Sequence, residues 1–485
     1  MHRLSPGESE DLSMGSTSEV GRRDLVKQAM ALGLISVPTI GALSACASGG
    51  DDDNDGGAKG EKTDKNPLGV DKNAPLELLI FDGGFGTQYV EDDAAAYEKK
   101  YAKVKTGSTV KIQSKVQGRM AAGDPPDVIN NSGDEAMDVP ALIAQGQLAD
   151  MTPLLKAPSL DDPSKTVADT LRPGTVEMGQ YGDQKCYRMN IAYSVFGLWY
   201  SQKMLDDHGW EYPKTWDDML ALCAEAKKEG IAGWTYTGVY PQYLGFSMLP
   251  MIGKVGGAEV LDAIDNFEPN AWKHDSVKSV LEAHYELYAK GYVLKGSGGW
   301  KHTEAQTKWT EGKAVFIPNG SWVENESKDT TPPDFQMTVS PSPNLDSSDA
   351  MPFETIWAQA GEPYIVPAKA ENVNGGLEFL RHMLTKKSAA GFSKLVSSLA
   401  CVEGSEEGLE FGTGLTSAIG LMDAAGENFL NPRFPDWYPT TWREHVVFVL
   451  GDMMKGDASP GEAVNKIQQI ADDAAKDDSI TKYKH

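Results

Sequence analysis

From Leu76 onward, short apolar runs alternate with segments of helical period, and this alternation restricts the fold more than any other feature of the chain. Leu76 to Phe81 predicts a first strand leading into Gly83-Gly84-Phe85-Gly86, followed by helical spacing over Asp92 to Tyr101. Thr109 to Ile112 predicts a second strand, and Val116 to Met120 a helix. After the turn Gly123-Asp124-Pro125, Pro126 to Ile129 predicts a third strand. Strands separated by helices imply an α/β protein with a mostly parallel sheet and ligand at the carboxyl ends of its strands. About 410 residues follow the N-terminal region, more than one core usually serves, so two lobes are expected. Two later helices show their boundaries plainly. Thr215 caps one, with Trp216, Met219, Leu220, Cys223, Ala224 and Ala226 on its inner face before Gly230. Ser459 caps the other, with Glu462 in its first turn and Val464, Ile467, Ile470 and Ala471 inward.

The N-terminus has a different logic. Arg22-Arg23 precede an apolar run, Ala29 to Leu43, and then Leu43-Ser44-Ala45-Cys46. A membrane span needs about 20 apolar residues, so this run reads as an export signal and not as a permanent helix. Leu-Ser-Ala-Cys resembles a lipobox, which implies cleavage before Cys46 and lipidation of its thiol. The arginine pair resembles the signal for export of folded proteins, although Phe is commoner than Leu25 at that place. Met14 is an alternative start, since residues 1–13 add nothing such a signal needs. Residues 46–74 are rich in Gly, Asp, Lys and Asn, and predict a lipid anchor followed by a disordered tether. Within it Asp51, Asp53, Asp55 and Gly56 mimic a calcium loop, but Lys62 stands where the closing Glu belongs, so no metal is expected.

A formal net charge of -25 repels nucleic acid and anionic lipid, so membrane attachment has to be covalent. With Cys46 assigned to lipid, Cys186, Cys223 and Cys401 remain, too few and too dispersed for a disulfide scaffold or a zinc site. Cys223 reads as a buried hydrophobe, and a Cys186 to Cys401 bridge stays open in an oxidising compartment.

Several motifs occur in the order found in extracellular solute-binding proteins of ATP-driven sugar importers, and the chain resembles that family over nearly all of residues 75–485. They are Gly123-Asp124-Pro125-Pro126-Asp127-Val128, Gly146-Gln147-Leu148-Ala149-Asp150, Gly197-Leu198-Trp199-Tyr200-Ser201, Thr215-Trp216-Asp217-Asp218-Met219, Trp309-Thr310-Glu311-Gly312-Lys313-Ala314 and Met454-Lys455-Gly456. The resemblance implies a two-lobed, type II periplasmic-binding-protein-like fold with a ligand cleft between the lobes. Lobe 1 would comprise 75–192 plus 362–402 and lobe 2 193–361 plus 403–485, with crossings near 192–196, 358–364 and 402–430. It further implies a monomer, anchored on the outer face of the membrane, that hands its ligand to an ABC permease, with no cofactor and no catalysis. Ile80 to Gly86, Leu171-Arg172-Pro173-Gly174 and Phe316 to Glu326 are similar to members that bind N-acetylglucosamine and N,N'-diacetylchitobiose. Cellobiose and xylo-oligosaccharides remain alternatives.

A sugar has an apolar C–H face and a polar rim, so its receptor needs aromatic platforms together with amides, carboxylates or backbone groups. Trp199, Trp216 and Trp309 read as core. Trp234, Trp322, Trp357 and Trp437, near strand ends or loops, are the candidate platforms, joined by Phe85 between Gly84 and Gly86, which let backbone approach a ligand. Asn130, Asn131 and Ser132 follow the third strand, where an α/β lobe offers polar groups. Glu135, Asn319 and Glu324 are further hydrogen-bonding candidates, and Tyr193 lies at the first expected crossing. The competing class, a secreted glycan hydrolase, lacks its signatures: there is no G-x-S-x-G elbow, no H-E-x-x-H and no chitinase carboxylate run.

Overall fold

The computed structural model describes residues 58–485. Ten strands form one sheet: β1 (Leu76–Phe81), β2 (Val104–Thr109), β3 (Val128–Asn130), β4 (Met189–Ser201), β5 (Ala232–Trp234), β6 (Ala314–Gly320), β7 (Met337–Ser340), β8 (Ile356–Ile365), β9 (Leu399–Ala400) and β10 (Phe429–Leu430). Their spatial order is β2-β1-β3-β8-β4-β6-β5, with β10 on β8 and with β7 and β9 on β4. Lobe 1 here denotes the end of the sheet that carries β1–β3, and lobe 2 the end that carries β5–β7. β4 and β8 run antiparallel to each other through both, from Met189 opposite Tyr364 to Phe196 opposite Trp357.

The sheet is mixed, not mostly parallel. β1 pairs in parallel with β2 and β3, and β5 with β6, but β8 and β4 are antiparallel to β3 and β6 respectively. All residues of β4 are buried, as expected of a strand covered on both faces. Alternate side chains feed two core layers: Leu76, Leu78, Ile80, Val195 and Trp199 on one face, Leu79, Phe196, Leu198 and Tyr200 on the other.

The second strand lies earlier than the sequence predicts. Val104–Thr109 is an edge strand with a largely exposed face, so it carries no apolar alternation to read, and Ile112 instead opens the helix Ile112–Ala122. The first helix likewise starts early, at Gln88. Both predicted caps are present. Thr215 Oγ1 accepts from the Asp218 N–H at 3.3 Å, and Ser459 and Glu462 form a reciprocal capping box at the head of Pro460–Lys476. Leu220 and Ala224, expected inward, are only half-buried.

The predicted tether is folded from residue 58. Ala58 N–H donates to Glu371 O at 2.9 Å, Gly60 N–H to Gly69 O at 2.8 Å, and the Asn66 side chain bridges Glu61 O and Val70. Leu68 and Val70, among the few apolar residues of the segment, then enter the core beside Leu76. Cys46 and the calcium-like Asp51, Asp53 and Asp55 lie outside the described residues. Cys186, Cys223 and Cys401 are separate buried thiols. Cys186 and Cys401 donate to Arg188 O and Ala192 O, so the open Cys186 to Cys401 pairing is not made. No described helix is long and apolar enough to cross a membrane.

Candidate functional site

Where β4 and β8 pass between the lobes, their side chains start an aromatic floor. Phe196 and Trp357, cross-strand partners, have ring centroids 4.5 Å apart, and Phe246 stacks on Phe196 at 4.5 Å with 28° between planes. Trp322 meets Phe196, Phe246 and Tyr243 edge-on at 5.7, 5.6 and 6.0 Å. It can do so because β6 ends in Gly320, where a Cβ would sit 2.2 Å from the indole. Trp322, Tyr243 and Phe246 are half-buried, whereas Trp357 is 3% exposed and its Nε1–H donates to Gln359 Oε1 at 2.8 Å. His302 extends the cluster beside Tyr240 and Tyr243.

Lobe 1 answers with backbone. The Phe81 ring is clasped by Gly83 and Gly133, at which a Cβ would lie 1.9 and 2.3 Å from ring atoms. The Asn325 amide donates to Gly84 O, and a Cβ on Gly84 would lie 2.6 Å from Glu326 Oε1. Arg443 Nη1 donates to Gly133 O at 3.1 Å and Thr440 to Asp138 Oδ2 at 2.9 Å. The two walls therefore meet at these contacts.

Two carboxyls stand out electrostatically. Glu362, in β8, is half-buried and pushed up to about 7 by desolvation, opposed by hydrogen bonds from Asn130 and Ser132; Ser132 Oγ donates to its Oε2 at 3.0 Å. Glu326 is raised by burial, against the pull of His302 at 3.7 Å and of the Gln306 amide at 2.7 Å.

The predicted residues divide. Trp322 and Trp357 both pack on Phe196 and Phe246, Gly84 meets Asn325 and Glu326, and Ser132 bonds Glu362. Trp234 does not: it is fully buried against Trp216, His284 and Phe316, because Gly233 lets β5 pack directly on the helix Trp216–Lys228, a Cβ there falling 2.3 Å from Cys223 Sγ. Trp437 is 6% exposed and packs under Arg433, Tyr483 and His485, beside the Arg188 to Asp436 ion pair at 3.1 Å. Phe85 packs edge-on against Phe392 at 5.2 Å, within lobe 1. Asn130 accepts from Phe81 N–H and donates to Pro363 O, while Asn131 brackets the backbone of Met137, so both amides hold the loop. Glu135 pairs with Ser114 and Lys111 at the surface. Glu324 caps the helix Thr413–Ala425, accepting from Gly414 and Leu415 N–H at 3.0 and 2.8 Å. Asn319 is fully buried, its Oδ1 accepting from Gly320 N–H and its amide nitrogen without a partner. Tyr193 donates to Pro173 O at 3.2 Å with Arg172 over its ring.

Sequence reasoning missed Phe196, Tyr243, Phe246, His302, Glu326 and Glu362. Signals existed for some of them: the aromatic density of Tyr240 to Phe246, and a lone carboxyl between Gly361 and Pro363 in an otherwise uncharged strand. Among the described residues, Asp262, Asp265 and His485 have metal-ligand chemistry, but Asp265 already accepts from the Arg433 and Phe434 N–H groups at 2.7 and 2.6 Å.

The chain is 34% identical, over 95% of its length and 98% of the relative's, to the diacetylchitobiose binding protein NgcE of Streptomyces coelicolor. It is 25% identical to the multiple sugar-binding protein of Streptococcus mutans, over 63% of this chain and 69% of that one. Among solved structures, a chitin oligosaccharide binding protein superposes with TM-score 0.64 at 18% identity, covering 80% of this chain and 94% of that one. The raffinose complex of the solute-binding protein RafE superposes with TM-score 0.63 at 15% identity, covering 82% of this chain and all of that one. Residues 86–390 match the profile of the bacterial extracellular solute-binding proteins, and the chain belongs to that family.

Proposed function

We propose that this protein is the carbohydrate-capturing component of an ATP-driven importer, taking N-acetylglucosamine or N,N'-diacetylchitobiose to a membrane permease as a lipid-anchored monomer. The observation that carries the reading is the cluster of Phe196, Phe246, Trp322 and Trp357, with Asn325, three residues beyond Trp322, bonded to the Gly84 carbonyl. Flat rings match a sugar's C–H face, and the polar groups at their edge match its hydroxyl and acetamido rim. The relative 34% identical over 95% of the chain, named as a diacetylchitobiose binder, supports that choice of ligand.

The hinge of this reading is the β4 and β8 pair near 192–196 and 358–364, with a third crossing in 402–430. Sugar bound between the lobes stabilises the closed form, which the permease recognises. The lipid anchor is Cys46, exported by the twin-arginine signal. Calorimetric titration of residues 58–485 with N-acetylglucosamine, diacetylchitobiose, cellobiose and xylobiose tests the reading, with tight binding expected for the acetamido sugars. Absence of heat with every sugar would overturn it, as would sustained release of monomer from chitin oligomers.

A further inference from the structure

Glu362 occupies an unusual place in β8. The β4 and β8 strands are in register from Met189/Tyr364 to Phe196/Trp357, but Ile191 and Glu362, which face each other in that register, form no pair. At this break Glu362 takes a left-handed backbone, φ +52°, which side-chain-bearing residues rarely adopt and which concentrates at functional positions. Glu362 is half-buried and reaches Ser132 Oγ at 3.0 Å. The next residue, Gly133, receives Arg443 from lobe 2, and the one after, Asp134, receives Gln242. The carboxyl therefore stands beside the line where the lobes meet, on one of the two strands that cross between them.

Among the described residues, none of the groups acting on it is a cation. The groups acting on it are the Asn130 amide and the Ser132 hydroxyl. The phenols of Tyr89 and Tyr364, bonded to each other at 2.8 Å, stand close enough to feel its charge, with Asp93 behind them. An ionised carboxyl shut in such a place would lack a counter-charge, whereas a protonated one keeps a donor to offer.

Building on the sugar-binding reading, we propose that Glu362 is a specificity-determining residue of the cleft, which donates a hydrogen bond as a neutral acid to the amide carbonyl of an N-acetylated sugar. The carboxylate of the open form takes one proton from solvent as the lobes close, so capture is linked to proton uptake and tightens as pH falls. Only a proton moves, and no covalent bond of the sugar changes. Burial of the carboxyl, which raises it to about 7, sets the window in which this is seen.

The test is titration with diacetylchitobiose and with cellobiose, which lacks the acetamido group, at pH 5.5 and 8.0 in buffers of different ionisation heat. Wild type, Glu362→Gln and Glu362→Ala are compared, with melting curves to verify folding. For the wild type, diacetylchitobiose should bind about tenfold more tightly at pH 5.5, with buffer-dependent heat reporting proton uptake. Glu362→Gln keeps a donor and should bind with a flat pH profile, Glu362→Ala should lose affinity at pH 5.5, and cellobiose should bind weakly without pH dependence. A flat wild-type profile overturns the proposal, as does a profile that persists in Glu362→Gln, which would place the titrating group at Asp93 or Glu326. Those results leave the sugar reading standing; no heat with either sugar at either pH removes both.

Discussion

The two walls of the cleft are made of opposite materials. Lobe 1 presents Gly83, Gly84, Gly86 and Gly133, a backbone carbonyl, and asparagines whose side chains are already engaged. Lobe 2 and the crossing strands present Tyr243, Phe246, Trp322 and Trp357. The difference teaches that chemistry and shape are divided here: the aromatic wall supplies contact area, and the glycine wall lets a backbone come close enough to bond. Substitutions on the two sides should therefore fail differently.

The largest effect is expected at Trp357. Its indole is 3% exposed and joins the Phe196 and Phe246 stack, so Trp357→Ala should lower unfolding free energy by about 3–5 kcal/mol, read from denaturant midpoints, besides weakening sugar binding. Trp322→Ala sharpens the contrast. Half-buried at the floor's rim, it should cost no more than about 2 kcal/mol of stability yet weaken sugar binding about tenfold or more. Equal stability losses in the two variants would erase the distinction between floor and rim.

Glu324 marks where chemistry read from sequence and role in the fold part company. A carboxyl four residues past the end of β6 reads as ligand-facing, but it accepts two N–H groups at the head of Thr413–Ala425. Glu324→Ala should destabilise by about 1–3 kcal/mol and leave sugar affinity unchanged in calorimetry. The same gap explains what was legible. The apolar run Leu76–Phe81, the caps at Thr215 and Ser459 and the core tryptophans Trp199 and Trp309 are local patterns, and local patterns survive into structure. Asn130 was illegible because its partner, Pro363, lies 233 residues away, and Trp234 because Gly233 serves helix packing and not ligand approach. Phe246 and Glu362 became neighbours of the cleft only through the crossing of β4 and β8, which no window of sequence contains.

On the glycine wall, Gly84→Ala should act on closure and not on folding. The added Cβ meets the Glu326 carboxyl, which is flexible and can shift, but at the expense of the contact between the walls. Sugar affinity should fall roughly fivefold, equivalent to about 1 kcal/mol, while the melting temperature without sugar stays near that of the wild type. A large loss of stability instead would make Gly84 a folding residue and the wall's thinness incidental.

Glu362→Gly probes the seam between the walls, and its net effect on stability at pH 5 is expected to be small. A non-glycine residue in the left-handed region costs on the order of 1–2 kcal/mol, which glycine relieves, less about 0.5–1 kcal/mol for the added freedom of the unfolded chain. The variant should therefore be as stable as the wild type at pH 5 or slightly more so. At pH 8 the margin should widen: a carboxyl raised in the folded state favours folding below its ordinary value and loses that contribution as pH rises through about 7, and glycine carries no such group. If sugar affinity falls while stability rises, the strain at this position is maintained for binding. If stability falls at both pH values, the Ser132 and Asn130 hydrogen bonds hold the strand together and the left-handed backbone follows from them, which would move Glu362 from the ligand's side of the seam to the scaffold's.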